Sequence, residues 1–216
     1  MSPRTLSPQS VLNGMNPRTL SALSLLNDLR HAATELLLER KRKYPALLLL
    51  YSFIDICASL SRESPGKSNR ARFESYVSRY ALLSWAAFKP YDLWAARSSL
   101  LHAYSPLGEQ TDRPNGATPI FYFAWPETEA MVRESLVSRG YSDFIVVDVQ
   151  TIKHIAISGF NAMWSRIESD AAFEAIFRAN AEHLLKDLFQ HKLEQDLTVL
   201  DELVQFSRKQ TDQQAD

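Results

Sequence analysis

The chain is poor in cysteine and glycine and has no long uninterrupted apolar run. Each of these absences restricts the fold classes and cellular compartments that fit the sequence. Only one of its 216 residues is cysteine, Cys57, so no intramolecular disulfide can form and a reducing compartment is the natural environment. Six glycines beside 45% hydrophobic and 11% aromatic residues indicate a packed, mostly helical globule. The richest apolar run, residues 46–60, is interrupted by Ser52, Asp55 and Ser59, which favours a core helix over a membrane span. We therefore expect a cytoplasmic protein without a membrane segment.

Several catalytic motifs are also missing. The sequence has no G-x-x-x-x-G-K-[S/T], no G-x-G-x-x-G and no G-x-S-x-G. It therefore lacks the motifs typical of nucleotide hydrolysis, dinucleotide redox chemistry and serine hydrolysis. His31, His154, His183 and His191 form no metal-ligand spacing with acids or with Cys57. The sequence therefore predicts no metal and no cofactor.

The net charge of −1 conceals an uneven distribution of charge along the chain. Residues 1–104 hold 14 Lys and Arg against 7 Asp and Glu, whereas residues 105–216 hold 10 against 18. A basic half favours a polyanionic partner, although oligomers also use such asymmetry for complementary docking.

The first 28 residues contain a tandem duplication, in which nine positions of the two 14-residue copies are identical. Proline interrupts the first copy, so only the second is expected to lead into a helix. We predict a flexible duplicated tail over residues 1–17, a helical core over 18–168 with a loop and β insertion at 105–150, a C-terminal helical extension over 169–208, and a disordered tail over 209–216.

The spacing of apolar residues predicts a mainly α fold. Four helices, at about 18–43, after Pro45 to about 61, 70–88 and 93–103, are joined by short connections, the pattern of an antiparallel helical bundle. The third is expected to bury one stripe, formed by Phe73, Val77, Tyr80, Ala81, Ser84 and Trp85. Two strands, at 119–125 and 143–149, flank a helix at 127–139 and form a small two-stranded β insertion. Further helices follow at about 151–167 and 170–208. The apolar stripe of the last, long helix needs cover, from either the same bundle or a dimer partner.

Arg97 and His102 are the most conspicuous candidate catalytic residues in the chain. On one helix they are separated by about 140° and about 7.5 Å of rise, so their long side chains can converge on one groove without being stacked neighbours. Arginine offers a permanently charged fork that matches phosphate oxygens, and histidine exchanges a proton near neutral pH. The pair suits metal-free RNA cleavage, although such spacing also occurs by chance, and a cation near a helix C-terminus is favourable in itself.

Residues 91–102 resemble the R-x4-6-H motif of the HEPN (higher eukaryotes and prokaryotes nucleotide-binding) superfamily. Ser98 fits the polar position that usually follows the motif arginine, and residues 47–56 resemble the long second helix of such bundles. The resemblance covers about 19–168. It implies metal-independent endoribonucleolysis in a homodimer that brings two motifs into one cleft, in a toxin–antitoxin or phage-defence setting with a possible cognate antitoxin protein.

On this interpretation His102 carries the proton transfers and Arg97 binds the phosphate and its more negative transition state. Ser98 orients either partner. Asp55 and Asp92 are candidate supporting carboxylates. Asp55, embedded in an apolar helix, needs a partner or a water, for which Arg97 is one candidate, and Asp92 is more simply a helix cap. Tyr104 is placed to stack on a base or to pack. Four cations are candidates for guiding RNA phosphates: Lys67, Arg70, Arg72 and Arg79.

Two other classes of function stay open on the sequence alone. One is a non-catalytic helical module that binds nucleotide, RNA or a protein through the same basic groove. The other is a dimeric scaffold built on the acidic terminal helix.

Overall fold

The protein is mostly helical and carries one small parallel sheet. The computed structural model describes residues 17–38, 42–64, 66, 68–81, 89–103, 107, 111 and 116–184. Its elements in chain order are α1 (Pro17–Leu38), α2 (Lys43–Leu60), α3 (Asn69–Tyr76), α4 (Pro90–Ala103), β1 (Ile120–Phe123), α5 (Glu129–Ser138), β2 (Ile145–Asp148), α6 (Val149–Ser169) and α7, described over 171–184. The predicted mainly α character with a two-stranded β element is confirmed. Most of the duplicated tail and the chain beyond residue 184 lie outside the described residues.

Helix α2 lies at the centre of the core. Its buried side chains include Leu50, Tyr51, Ile54 and Cys57, which contribute to one cluster shared with α1, α3, α4, α6 and α7. Within the part of the chain that the structure describes, one helix, α2, has the length and apolar composition needed to cross a membrane. Half of this helix is buried inside the protein. The burial agrees with the prediction of a core helix.

The two strands pair in parallel, with Ile120 opposite Ile145 and Phe123 opposite Asp148. A parallel pair needs a crossover connection, and α5 supplies it. Ile120, Tyr122 and Val147 join the main core, whereas the other side of the sheet packs on α5 in a second, smaller cluster.

Several predicted boundaries differ from the observed ones. Helix α1 ends at Leu38, and α2 begins at Lys43, ahead of Pro45, because proline is tolerated in the first turn of a helix. Helix α4 begins at Pro90, which occupies the first helical position, so its start is earlier than predicted. The predicted third helix is regular only as far as Tyr76.

A π-helical turn, Val77–Ala81, follows α3 directly. A π turn holds one more residue than an α turn, so it shifts the side chains that follow it. Val77, Tyr80 and Ala81 remain buried, as the predicted apolar stripe requires, and they face α6. The rest of that predicted helix, 82–88, lies outside the described residues.

Helix α7 starts after Asp170, whose carboxylate accepts from the backbone N–H of Phe173 at 3.1 Å. Phe173, Phe177 and Ala181 are buried in the main core. The Asn180 amide donates to the carbonyls of Leu60 and Arg62 at the C-terminal end of α2, at 3.0 and 2.8 Å. The described part of the C-terminal helix therefore packs on the core, and the part predicted to reach a dimer partner lies beyond it.

Candidate functional site

Helix α4 positions Arg97 at the edge of the core. Leu93, Ala96 and Leu100, at the three-and-four spacing of a helix, are 0%, 3% and 2% exposed and anchor the helix against its neighbours. Arg97 lies beside this apolar stripe, with its guanidinium carbon 5.0 Å from the ring centre of Trp94. Trp94 in turn packs edge-on against Phe73 of α3. The arginine is thus held on a rigid part of the fold.

The Arg97 guanidinium is paired with Asp55 of α2. Its Nε lies 2.7 Å and its Nη2 2.6 Å from the same oxygen, Oδ2. The two side chains are 20% and 27% exposed, so the pair lies at the rim of the protein rather than in its interior. The partner that the sequence suggested for Asp55 is therefore the observed one.

Burial raises the pKa of the Asp55 carboxyl above its ordinary value of 3.8. The positive charges of Arg97 and Arg72 act in the opposite direction and favour the carboxylate. Two guanidinium groups therefore surround one carboxyl group that is partly removed from water, which leaves the cluster with excess positive charge.

Asp55, Arg97 and Arg72 line an open cleft with a volume of about 150 Å³, which we call the Arg97 cleft; its other lining residues are Ala58, Ser59 and Asn69. Arg72 lies on the first turn of α3, where its Nη2 donates to Asn69 Oδ1. Its Nε is buried and has no hydrogen-bond partner among the described residues. A buried donor beside a positively charged cleft suits a phosphate or another oxyanion.

Asp92 lies elsewhere and has a structural role. Because α4 begins at Pro90, Asp92 occupies the third helical position rather than the predicted cap position. Its Oδ2 accepts from the backbone N–H of Lys89, and its Oδ1 from that of Thr118, each at 2.9 Å. The first contact closes the start of α4 and the second ties it to the segment that leads into β1. Asp92 does not line the Arg97 cleft.

The other predicted site residues are dispersed. Arg70 pairs with Glu74 at 2.6 Å and lies over the ring of Tyr91, and Arg79 pairs with Glu63. Only Arg72 of the proposed phosphate-guiding residues shares a described cleft with Arg97. Ser98 is half-buried.

Three predicted residues cannot be placed in this geometry. His102 belongs to α4, in its last turn, but its side chain lies outside the described part of the structure. Tyr104 and Lys67 lie outside the described residues altogether.

Sequence reasoning did not identify Asn69 or Ser59 as cleft residues. Asn69 follows Ser68, whose hydroxyl caps α3 by accepting from the Ala71 N–H at 3.2 Å, and this capping pattern was the available signal. A larger groove of about 270 Å³ lies between α1 and α6. Its lining is mostly apolar, and Arg30 is the one charged residue among the described residues that form it, so it offers less for acid–base or phosphate chemistry.

Within the described ranges, no group of three or more His, Cys, Asp or Glu side chains is arranged to hold a metal ion. The one cysteine, Cys57, is buried, and burial raises the pKa of its thiol to about 12, which makes it an unreactive core residue.

Comparisons of the chain with protein-family models, with curated proteins and with solved structures gave no match.

Proposed function

We propose that the protein is a metal-independent endoribonuclease of the HEPN type, with the Arg97 cleft as its phosphate-binding site. The observation that carries this proposal is the placing of Arg97 and Arg72 around one open cleft, with Arg97 on the same helix as His102. The wider setting that we propose is a cytoplasmic homodimer with an antiparallel helical core, acting as a toxin or phage-defence effector.

RNA carries its own nucleophile, so the protein needs only proton transfer and charge stabilisation. As the ribose 2′-oxygen attacks phosphorus, the bond from phosphorus to the 5′-oxygen breaks, which leaves a 2′,3′-cyclic phosphate and a 5′-hydroxyl. A base must take the 2′-hydroxyl proton and an acid must protonate the departing oxygen. We assign these transfers to His102, one from each subunit of a dimer or through one imidazole in turn. Arg97 and Arg72 stabilise the charge that grows on the phosphate oxygens.

Asp55 acts in this proposal as a positioning residue. It engages Nε and Nη2 of Arg97 and leaves the Nη1 end of the guanidinium uncontacted by the carboxylate. Arginine has five N–H donors, so a phosphate can still be bound through this end. The carboxylate fixes the orientation of the arginine before substrate arrives, which lowers the entropy lost on binding.

The experiment is cleavage of a mixed RNA pool in the presence of EDTA by the purified wild type and by Arg97→Ala, His102→Ala and Arg133→Ala. Arg133 is a matched control, because it pairs with Glu129 on α5 and does not line the Arg97 cleft. We expect the first two variants to lose at least about a hundredfold in rate, the magnitude typical of a general acid–base residue or of a charged transition-state donor. Arg133→Ala should retain the wild-type rate, and equal rates in all four preparations would remove the assignment.

The two arginines that line the cleft also support a second candidate function, in which the cleft binds RNA without cutting it. Asp55 occupies two of the donors of Arg97, and this arrangement is also what a purely structural pair requires. A binding module predicts salt-sensitive association with RNA, weakened by Arg97→Ala, with no cleavage by any of the four preparations.

A further inference from the structure

A second basic cleft adjoins the Arg97 cleft, on the other side of Arg72. We call it the Arg62 cleft; it has a volume of about 50 Å³, and Arg72 and Ala58 line both clefts. One water needs at least about 10–15 Å³, so the cleft has room for more than one water. The two clefts are therefore neighbouring compartments separated by one arginine side chain.

The charge in the Arg62 cleft is positive. Among the residues that the structure describes, Arg62, Arg72 and Arg79 line it together with one carboxylate, that of Glu63. Glu63 is already engaged, since it pairs with Arg79 and also with Arg166, whose Nη1 lies 2.5 Å from Oε1. Arg166 is held in turn by the Tyr80 hydroxyl at 2.9 Å. The carboxylate is thus neutralised from two sides, and Arg62 and Arg72 remain as excess cations.

The remaining lining supplies neutral donors suited to an oxyanion. Ser64 and Ser75 line this cleft, and each carries a hydroxyl donor. Ser61 also lines it, with its hydroxyl donating to the Ala58 carbonyl at 3.4 Å. The buried Nε of Arg72, which has no partner among the described residues, lies on the side chain that the two compartments share. A buried N–H without a partner costs free energy, which an oxyanion would recover once the Arg72 side chain turns this N–H toward it.

We infer that the Arg62 cleft is a second phosphate subsite, which holds the phosphodiester next to the one in the Arg97 cleft, with Arg72 between the two. The inference rests on the proposed RNA substrate and extends it from one phosphate to two consecutive phosphates of a single strand. An isolated phosphate ion would need only one of the compartments, whereas two linked phosphates explain why the compartments are adjacent and share an arginine. Arg62 is a binding residue here and has no part in the proton transfers.

The test measures equilibrium binding of a fluorescent 2′-deoxy octanucleotide, which lacks the nucleophile and is not cut, at 25–200 mM salt. The proteins are the wild type, Arg62→Ala, Arg97→Ala and the control Arg133→Ala. Each contact with a single-stranded phosphate contributes about 0.7 to the slope of log K against log salt. We expect Arg62→Ala to lower the slope by about this amount and the affinity about fivefold to tenfold at the lowest salt. Thermal unfolding of each variant checks that the fold is intact.

A second experiment removes a charge from the ligand instead of from the protein. Replacing one of the two phosphodiesters of a 2′-deoxy trinucleotide by a neutral methylphosphonate should weaken binding to the wild type about fivefold, and binding to Arg62→Ala by less than about twofold. Equal losses in the two proteins would overturn the inference, as would an Arg62→Ala variant with the affinity and slope of Arg133→Ala.

The two proposals fail separately. If the wild type cuts RNA but Arg62→Ala behaves as Arg133→Ala, the endoribonuclease stands and the second subsite falls. If the wild type cuts nothing while the Arg62→Ala effects on slope and methylphosphonate sensitivity are found, the subsite stands and the endoribonuclease falls. Absence of oligonucleotide binding by the wild type would overturn the subsite.

Discussion

Asp55 and Arg97 join α2 to α4 through an ion pair in which Nε donates to Oδ2 at 2.7 Å and Nη2 lies 2.6 Å from the same oxygen. The residues are 42 positions apart in the chain, so the contact is made by the tertiary fold and not by local helix geometry. Because both groups are more than two-thirds buried, solvent screens their interaction less than that of a surface pair. The pair forms one wall of the cleft and also holds two helices together.

A double-mutant cycle on Asp55→Ala and Arg97→Ala should give a coupling of about 1–2 kcal/mol in the free energy of unfolding, since hydrogen bonds between charged groups exceed neutral ones. The exposed Arg133–Glu129 pair on α5, with side chains 48% and 42% exposed, is the matched control. Its coupling should be only about 0.3–0.5 kcal/mol. Urea unfolding of the variants measures both values. Equal couplings would mean that the Asp55–Arg97 pair adds no more to stability than a surface pair.

The pH dependence of stability should carry the signature of Asp55. Burial raises the pKa of this carboxyl in the folded protein above its ordinary 3.8, so the folded state binds the proton more tightly than the unfolded chain. The stability linked to Asp55 is fully present below pH 3.8 and is lost as the pH rises through the raised pKa. The unfolding free energy of the wild type minus that of Asp55→Asn should therefore decrease as the pH rises from about 3.5 to 6.5. An increase over this range would show that the pull of Arg97 exceeds the effect of burial.

The sequence was a good guide to elements whose apolar spacing is regular. The stripe of Phe73, Val77, Tyr80 and Ala81 is buried as predicted, and the strands lie within their predicted ranges. Asp55 was also interpretable, because a carboxylate in an apolar helix needs a partner. The π turn at Val77–Ala81 was not predicted, since its sequence fits an α-helix equally well.

The two clefts could not have been assembled from the sequence. Arg62 lies in the turn after α2, Arg72 lies on α3 and Arg97 lies on α4. Helical periodicity indicates which face of each helix is apolar, but not which polar positions of different helices meet at one rim. Arg70 has an acid four residues on, Glu74, on its own helix, but only tertiary packing pairs Arg79 with Glu63 and places Arg72 at the Arg97 cleft.

Asp92→Asn separates structure from catalysis at the start of α4. The substitution replaces one accepting oxygen by an amide N–H₂ that cannot accept from Lys89 or Thr118, and Asp92 is only 3% exposed. We expect a loss of about 1–2 kcal/mol in the free energy of unfolding. RNA cleavage per folded molecule should be unchanged well below the melting temperature, because neither oxygen faces the Arg97 cleft. A loss of cleavage in fully folded Asp92→Asn would return this residue to the supporting role that the sequence first suggested.

Gly159 of α6 lies in close contact with the π turn, and this contact predicts an unusual pair of substitutions. A Cβ at this position would lie 2.9 Å from the Tyr76 hydroxyl oxygen, 3.0 Å from Ala81 Cβ and 3.3 Å from Ala81 Cα. Gly→Ala inside a helix normally stabilises by up to about 1 kcal/mol, but overpacking costs about 1–3 kcal/mol, so Gly159→Ala should destabilise. Tyr76→Phe removes a buried hydroxyl that makes no well-formed hydrogen bond and lies beside the Cys57 thiol, and should be neutral or stabilising. It also removes the nearest clashing atom, so the double variant should recover part of the loss measured for Gly159→Ala by urea unfolding. Strictly additive effects of the two substitutions would show that the clash is relieved by a shift of α6 rather than by the loss of the Tyr76 hydroxyl.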